Sequence, residues 1–287
     1  MPPTYTPLRY PGGKAKLGPY LSDVLRFNRL GDSHFAEPYA GGAGASMFLL
    51  MRGYVRTVHL NDIDVAVASF WRAVLGHTER FAKAIESVPL TVDEWKRQRL
   101  IYTEKSRGFD LGFAFFFLNR TNRSGIMNAG VIGGKDQSGR WGIDARFNRA
   151  DLAERVRNIG AMKRLISISS DDALDFISEF AKAKLARSFV YLDPPYFNKG
   201  PELYTNFYTP KDHATIARRL KTFSRPWMLT YDDCEEIRRM YSEFETRQSE
   251  LSYSARDARR GREVVVYGPN VRPPAQAAKR EGFRLIQ

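Results

Sequence analysis

The sequence predicts an α/β protein: a mostly parallel sheet that binds its ligand at the carboxyl ends of its strands. Three observations carry this. Short apolar runs alternate with stretches of helical period. The first run, residues 33–37, opens into Pro38-Tyr39-Ala40-Gly41-Gly42-Ala43-Gly44 and then an apolar helix. Strand, Gly-rich turn and helix together form a nucleotide-binding opening. The run 188–192 stops in Asp193-Pro194-Pro195-Tyr196. Paired prolines lack N–H donors and fix φ, so they cannot continue a central strand. Asp193 and Tyr196 therefore fall just past a strand end, where open α/β sheets bind ligands.

The 287 residues, 43% of them hydrophobic, suffice for one large domain or a domain with an insertion. No apolar run approaches the roughly 20 residues of a membrane span, and the N-terminus lacks a signal-peptide pattern. One cysteine, Cys234, excludes an intramolecular disulfide framework, and four scattered histidines argue against a metal site. The expectation is a soluble, cytoplasmic protein without metal. The net charge of +13 favours a polyanion. Residues 120–164 carry ten Lys/Arg against four acids, and 252–262 carry four Arg against one acid. That clustering points to nucleic acid rather than to general solubility.

Taken in order, residues 7–18 form a Gly-rich basic loop before a helix at about 18–28; Tyr10 offers a stacking face and Lys14 a cation. After the first strand and the glycine turn, the run 55–60 ends in Asn61-Asp62-Ile63-Asp64. An acid about 20 residues beyond a glycine turn commonly holds ribose hydroxyls. Asp64 is the better helix cap, which leaves Asp62 for the ribose. Residues 64–118 read as helical, with a capping box at Thr91-x-x-Glu94 and a buried aromatic run at 109–118. The stretch 119–149 breaks the pattern with Asn119-Arg120-Thr121-Asn122-Arg123-Ser124-Gly125 and repeated glycines. Long irregular segments in compact domains are usually functional or disordered; interspersed Phe, Trp and Met argue against disorder, and Arg and Asn are side chains that read base edges. Alternation then resumes: helix 151–160, strand 165–168, the acidic turn Asp171-Asp172, helix 173–183, strand 188–192, helix 211–222, strand 227–230, and a helix to about 242. Strands 246–251 and 263–267 flank an arginine loop with Arg256, Arg259 and Arg260. Seven strands result, and the polar tail from Pro273 is left unassigned.

Asp193 supplies a carboxylate, the prolyl turn supplies carbonyls without local donors, and Tyr196 supplies an aromatic face. Such a set suits a flat group carrying an exocyclic amine; the plain alternative is a structural turn capped by Asp193.

In order, Tyr10-Pro11-Gly12-Gly13-Lys14, Phe35-Ala36-Glu37-Pro38-Tyr39-Ala40-Gly41-Gly42-Ala43-Gly44, Asn61-Asp62 and Asp193-Pro194-Pro195-Tyr196 resemble the Dam-type family of DNA adenine-N6 methyltransferases (D12 class, alpha group). The resemblance implies a Rossmann-like, seven-stranded methyltransferase fold that uses S-adenosylmethionine. It implies a catalytic domain of residues 1–71 and 161–287, interrupted by a target-recognition insertion at 72–160. It places Tyr10, Lys14, Glu37, Ala40, Gly41, Gly42, Gly44, Asp62, Asp172 and Asp193 at the cofactor, with Asp193, Pro194, Pro195 and Tyr196 forming the target pocket. DNA contacts fall to Asn119, Arg120, Asn122, Arg123 and Ser124 and, from the basic pattern, to Arg256, Arg259 and Arg260. Arg123 and Ser124 depart from the best-known branch, which leaves the target sequence unassigned. The implied activity is methylation of adenine N6 in double-stranded DNA after the base is flipped out, by a monomer whose partners include DNA and potentially a cognate restriction endonuclease. Two other readings are a methyltransferase for RNA or cytosine N4, and a non-catalytic DNA-binding protein on the same scaffold.

Overall fold

The computed structural model describes residues 5–9, 14–104, 107–198, 208–251, 261–274, 279–280 and 283–286. Its centre is a sheet of strands β1 (Ser33–Glu37), β2 (Val55–Asn61), β3 (Ile166–Ser169), β4 (Ser188–Leu192), β5 (Trp227–Asp232), β6 (Glu245–Leu251), β7 (Gly261–Tyr267), β8 (Lys279–Arg280) and β9 (Phe283–Ile286). The spatial order is β3-β2-β1-β4-β5-β7-β6-β9-β8. Strands β1 to β5 run parallel, and β7 inserts antiparallel between β5 and β6. The seven strands expected from the sequence are all present. The tail adds β9 and β8 at one edge, where Lys279, Arg280 and Arg284 mask the strand pattern.

Chain order reverses between β1 and β4: the chain proceeds outward to β2 and β3, then returns to build β4 and β5 on the other side. This is a topological switch point, and the crevice above it lies between the ends of β1 and β4. Glu37 closes β1 and Asp193 follows β4.

Side-chain alternation assigns the two faces. Phe35, Phe189, Tyr191, Met228 and Val265 point into one core, while Ala36, Val190, Leu192, Leu229, Val264 and Val266 point into the other. The second face is covered by α8 (Ala173–Lys182), α9 (Pro210–Lys221) and α10 (Glu235–Met240). The first is covered by α1 (Gly18–Phe27), α2 (Gly44–Met51) and a helical assembly of α3 (Val65–Gly76), α4 (Thr78–Ser87), α5 (Val92–Thr103), α6 (Gly108–Thr121) and α7 (Arg149–Ala161).

Local chemistry starts these helices. Asp64 caps α3 by accepting from the Ala66 N–H, Thr91 caps α5 through Glu94 N–H, and Asn148 caps α7 through Asp151 N–H. Within the assembly Phe70, Phe81, Phe113 and Phe116 pack edge-to-face and offset, geometries that add about 0.5–1.5 kcal/mol per pair beyond burial. Helix α6 crosses α3 so closely that a Cβ on Gly112 would stand 2.5 Å from the Ser69 carbonyl oxygen. The helical assembly thus shares one apolar core with the sheet, and the boundary expected at residue 72 falls inside α3. Among the described residues no helix is long and apolar enough to cross a membrane.

Candidate active site

The Gly-rich turn after β1 is held open by its neighbours. Ala40 N–H donates to the Asn61 carbonyl and Gly41 N–H to Asp62 Oδ2 at 2.8 Å, while Trp71 Nε1 donates to the Gly41 carbonyl. Gly41 and Ala43 both have positive φ, 45° and 44°. For alanine that conformation costs about 1–2 kcal/mol, and it aims the turn at the start of α2. Gly44 admits the Lys14–Leu17 3-10 turn, because a Cβ there would meet Ala15 at 3.0 Å. Gly42 is buried in the same turn.

Carboxylates gather around the turn. Glu37 is buried and accepts from the Ser46 hydroxyl; burial, helped by Asp193 and Asp62, pushes its pKa up to about 8. Asp62 accepts from the N–H groups of Gly41 and Asp64, and burial raises it to about 7. Asp64 is the helix cap, as expected. A carboxylate has about four lone-pair positions, so Asp62 keeps acceptor capacity for a ligand. Asp172 stands at the end of β3, exposed, with one oxygen capping α8 through the Leu174 N–H. Asn61 stitches this turn to the β1 turn by donating to the carbonyls of Pro38 and Asp171.

Asp193 is half-buried. It accepts from the Thr230 hydroxyl at 2.7 Å and lies 3.3 Å from Lys14 Nζ. Burial lifts its pKa to about 6 against the pull of Lys14. Lys14 Nζ also donates to the Tyr196 hydroxyl at 3.3 Å and sits 2.5 Å from Glu263 Oε1, and Tyr196 OH donates to that same oxygen. Pro194 and Pro195 carry the chain between Asp193 and Tyr196, and Asp232 braces the exit by accepting from the Phe197 and Asn198 N–H groups at 2.8 and 3.0 Å. Thr230, Asp232 and Glu263 went unmarked in the sequence. Only Glu263 carried a signal, an acid opening an otherwise apolar strand.

The amide-rich segment requires a correction. Asn119 and Asn122 were expected to touch DNA. Both are buried, with their amides spent on the chain itself. Asn119 accepts from Arg9 N–H and donates to the carbonyls of Arg9 and Gly125. Asn122 accepts from Trp95 Nε1 and donates to the carbonyls of Ile126 and Met127. They fasten the loop and the N-terminal arm in place. Arg120 is half-buried and donates to the Arg146 carbonyl; burial, then the nearby Arg9, Arg155 and Arg146, pull its pKa down to about 9. Arg155 donates to the Thr6 carbonyl, so these cations ring the arm. Arg123 and Ser124 are exposed, with Ser124 at φ 56°. Tyr10, Arg256, Arg259 and Arg260 lie outside the described residues.

A largely parallel α/β sheet carries a glycine turn after β1, an acid after β2 and a carboxylate after β4 at its switch point, the arrangement in which such sheets bind nucleotide ligands. The family profile of D12 class N6 adenine-specific DNA methyltransferases matches residues 10–255. Among relatives, the type II methyltransferase M.MjaIII of Methanocaldococcus jannaschii is 23% identical over 66% of this chain and 68% of its own. The type II methyltransferase M.CviBI of Paramecium bursaria Chlorella virus NC1A is 24% identical over 77% and 81%. The modification methylase StsI of Streptococcus sanguinis is 24% identical over 67% of this chain and 28% of that longer protein. A solved structure of a proposed RNA methyltransferase from Pyrococcus horikoshii aligns over 91% and 86% with 11% identity and a TM-score of 0.43, too slight a likeness to bear on substrate.

The chain belongs to the D12 class of N6 adenine-specific DNA methyltransferases, and its activity is adenine-specific DNA methylation. The family implies S-adenosylmethionine as cofactor. The donor set fits it: Glu37 and Asp62 are carboxylates of raised pKa at adjacent strand ends, and a cationic, hydroxyl-bearing ligand relieves both.

Proposed function

We propose that this protein methylates N6 of a flipped adenine in duplex DNA at a specific sequence, with Asp193 as the group that engages the target amine. The observation that carries this is the position of Asp193 at the switch point, beside Lys14 and Thr230 and across from Glu37. S-adenosylmethionine would supply the methyl, activated by its sulfonium. Glu37 and the Ala40, Gly41, Gly42 and Gly44 turn would receive its methionine end, Asp62 its ribose, and Asp172 its adenine. Tyr10 and Lys14 would complete the wall of the pocket.

Adenine N6 is a weak nucleophile because its lone pair is delocalised into the ring. Asp193 and the Pro194 carbonyl accept hydrogen bonds from its two protons, which shifts the nitrogen towards sp³ and frees the lone pair. Asp193 must be ionised for this, which its pKa of about 6 allows at neutral pH. Pro195 fixes the turn, and Tyr196 packs against the base. Alignment of this kind contributes about 7–11 kcal/mol. N6 is out of reach inside a duplex, so the base leaves the stack. The insertion at 72–160 reads the site, with Arg123 and Ser124 at its exposed tip and Arg9, Arg120 and Arg146 behind them. The relatives' names, type II methyltransferase and modification methylase, support a place in restriction-modification; a cognate endonuclease as partner, a cytoplasmic location and a monomeric state belong to the same reading.

The test is modified-base sequencing of DNA from cells expressing the protein, beside purified Asp193→Ala. Methyl transfer in the variant should fall by about 10²–10³, the cost of one preorganised polar contact, with its melting temperature retained. Near wild-type turnover would place the pocket elsewhere.

A further inference from the structure

We propose that Glu263 is a positioning residue that holds the Lys14 ammonium between two carboxylates and thereby sets how tightly Asp193 binds a proton. The inference rests on the reading of Asp193 as the acceptor of the target amine.

Glu263 interrupts an apolar strand: Val264, Val265, Val266 and Tyr267 follow it, and all are buried. Its own exposure is 1%. A carboxylate in such a place is costly unless it is paired and hydrogen-bonded. Strand β7 places it opposite Asp232 on β5 and Ser249 on β6, and its side chain reaches the switch-point crevice. There Oε1 receives both Lys14 Nζ and Tyr196 OH. The ammonium is far closer to Glu263, at 2.5 Å, than to Asp193, at 3.3 Å.

Among the described residues, the groups facing Asp193 come from five elements. They are Lys14 on the N-terminal turn, Glu37 on β1, Tyr191 on β4, Thr230 and Tyr231 on β5, and Glu263 on β7. Lys14 is the cation of this set, and Glu263 draws it away from Asp193. Among the described residues, two carboxylates then share one ammonium, which leaves their charges in negative excess. That excess matters because methyl transfer, which would break the sulfonium S–C bond and form N6–C, moves positive charge onto N6, whose proton then passes to Asp193 or to solvent. Preorganised charge aimed where charge develops stabilises the transition state. Lys14 without Glu263 would turn to Asp193, neutralise it, and weaken it as an acceptor. Burial and Glu263 act upward on the Asp193 pKa, while Lys14 acts downward.

The experiment is a carbon-13 carboxyl titration of the protein alone, with the Asp193 resonance assigned by its loss in Asp193→Asn. Glu263→Gln should move the Asp193 midpoint to lower pH by about one unit, the low end for a charge at this range. Lys14→Gln should move it to higher pH. In methylation assays the acid limb of kcat should move in the same two directions, with the KM for DNA unchanged in Glu263→Gln. Should Glu263→Gln not fold, Glu263→Asp withdraws the charge by one methylene and should give a smaller shift of the same sign. A midpoint that stays fixed or rises in the Glu263 variant overturns the proposal, as does one that falls in Lys14→Gln. Because the titration needs neither cofactor nor DNA, midpoints that move as stated while no form methylates adenine would support Glu263 in this role and sink the assigned reaction instead.

Discussion

Replacing Glu37 by glutamine should make the protein more stable in mild alkali and weaker for its cofactor. Glu37 is 3% exposed, and its partner is the Ser46 hydroxyl. Its carboxyl rises from an ordinary 4.5 to about 8, by burial first and then by the proximity of Asp193 and Asp62. A raised acid binds its proton more tightly in the folded state. Folding therefore takes up a proton between the two values, and stability falls as pH rises through that window. The cost of Glu37 is about 1 kcal/mol at pH 5 and about 4 kcal/mol at pH 8. Glutamine has no proton to lose, and its carbonyl can still accept from Ser46.

The assay is the unfolding free energy in urea at pH 5, 6, 7 and 8, for the protein and for Glu37→Gln. Taking the difference removes titrations common to both. The gap should widen in favour of the variant by about 3 kcal/mol from pH 5 to pH 8. A flat gap would refute the assignment of Glu37 as a strained buried acid. Adding S-adenosylmethionine supplies the second half. A ligand that binds only the folded state stabilises it by mass action, so the native protein should gain more than the variant does. Equal gains would remove Glu37 from the cofactor site.

Asp62→Ala should weaken S-adenosylmethionine by about 1.5–3 kcal/mol in calorimetry, the range for hydrogen bonds to a charged group; a paired melting curve separates that loss from the release of the Gly41 N–H, and unchanged affinity would leave Asp62 a turn brace only. Arg123→Ala, profiled for methylation across a randomised DNA library, should relax preference at one position by about 1–3 kcal/mol; a uniform drop with the preferred motif intact would make Arg123 a phosphate contact.

How far the sequence reveals the site depends on how local the cause is. The strand ends, the helix caps at Asp64 and Thr91 and the prolyl stop after Leu192 follow from neighbours in the chain, and the structure places them as expected. Glu263 does not, because its meaning lies in Lys14, 249 residues away. Asn119 and Asn122 misled for a related reason. Amides in a Gly-rich basic stretch look solvated, yet the N-terminal arm and Trp95 close over them. The tail strands β8 and β9 pair with each other, and β9 pairs with β6, a neighbour set by topology rather than by pattern.

The Lys14–Glu263 pair also orders events during synthesis. The lysine leaves the ribosome before its partner, which follows 249 residues later. At about 5–20 residues per second, roughly 10–50 s separate the two. The glycine turn, the acid after β2 and the insertion can all form in that interval, but β7 must slide between β5 and β6 before the ammonium finds its counter-ion. A chain cut short before residue 263 would hold the glycine turn and Asp62 but leave Lys14 without its Glu263 contact. The Lys14–Glu263 contact forms only once β7 is in place.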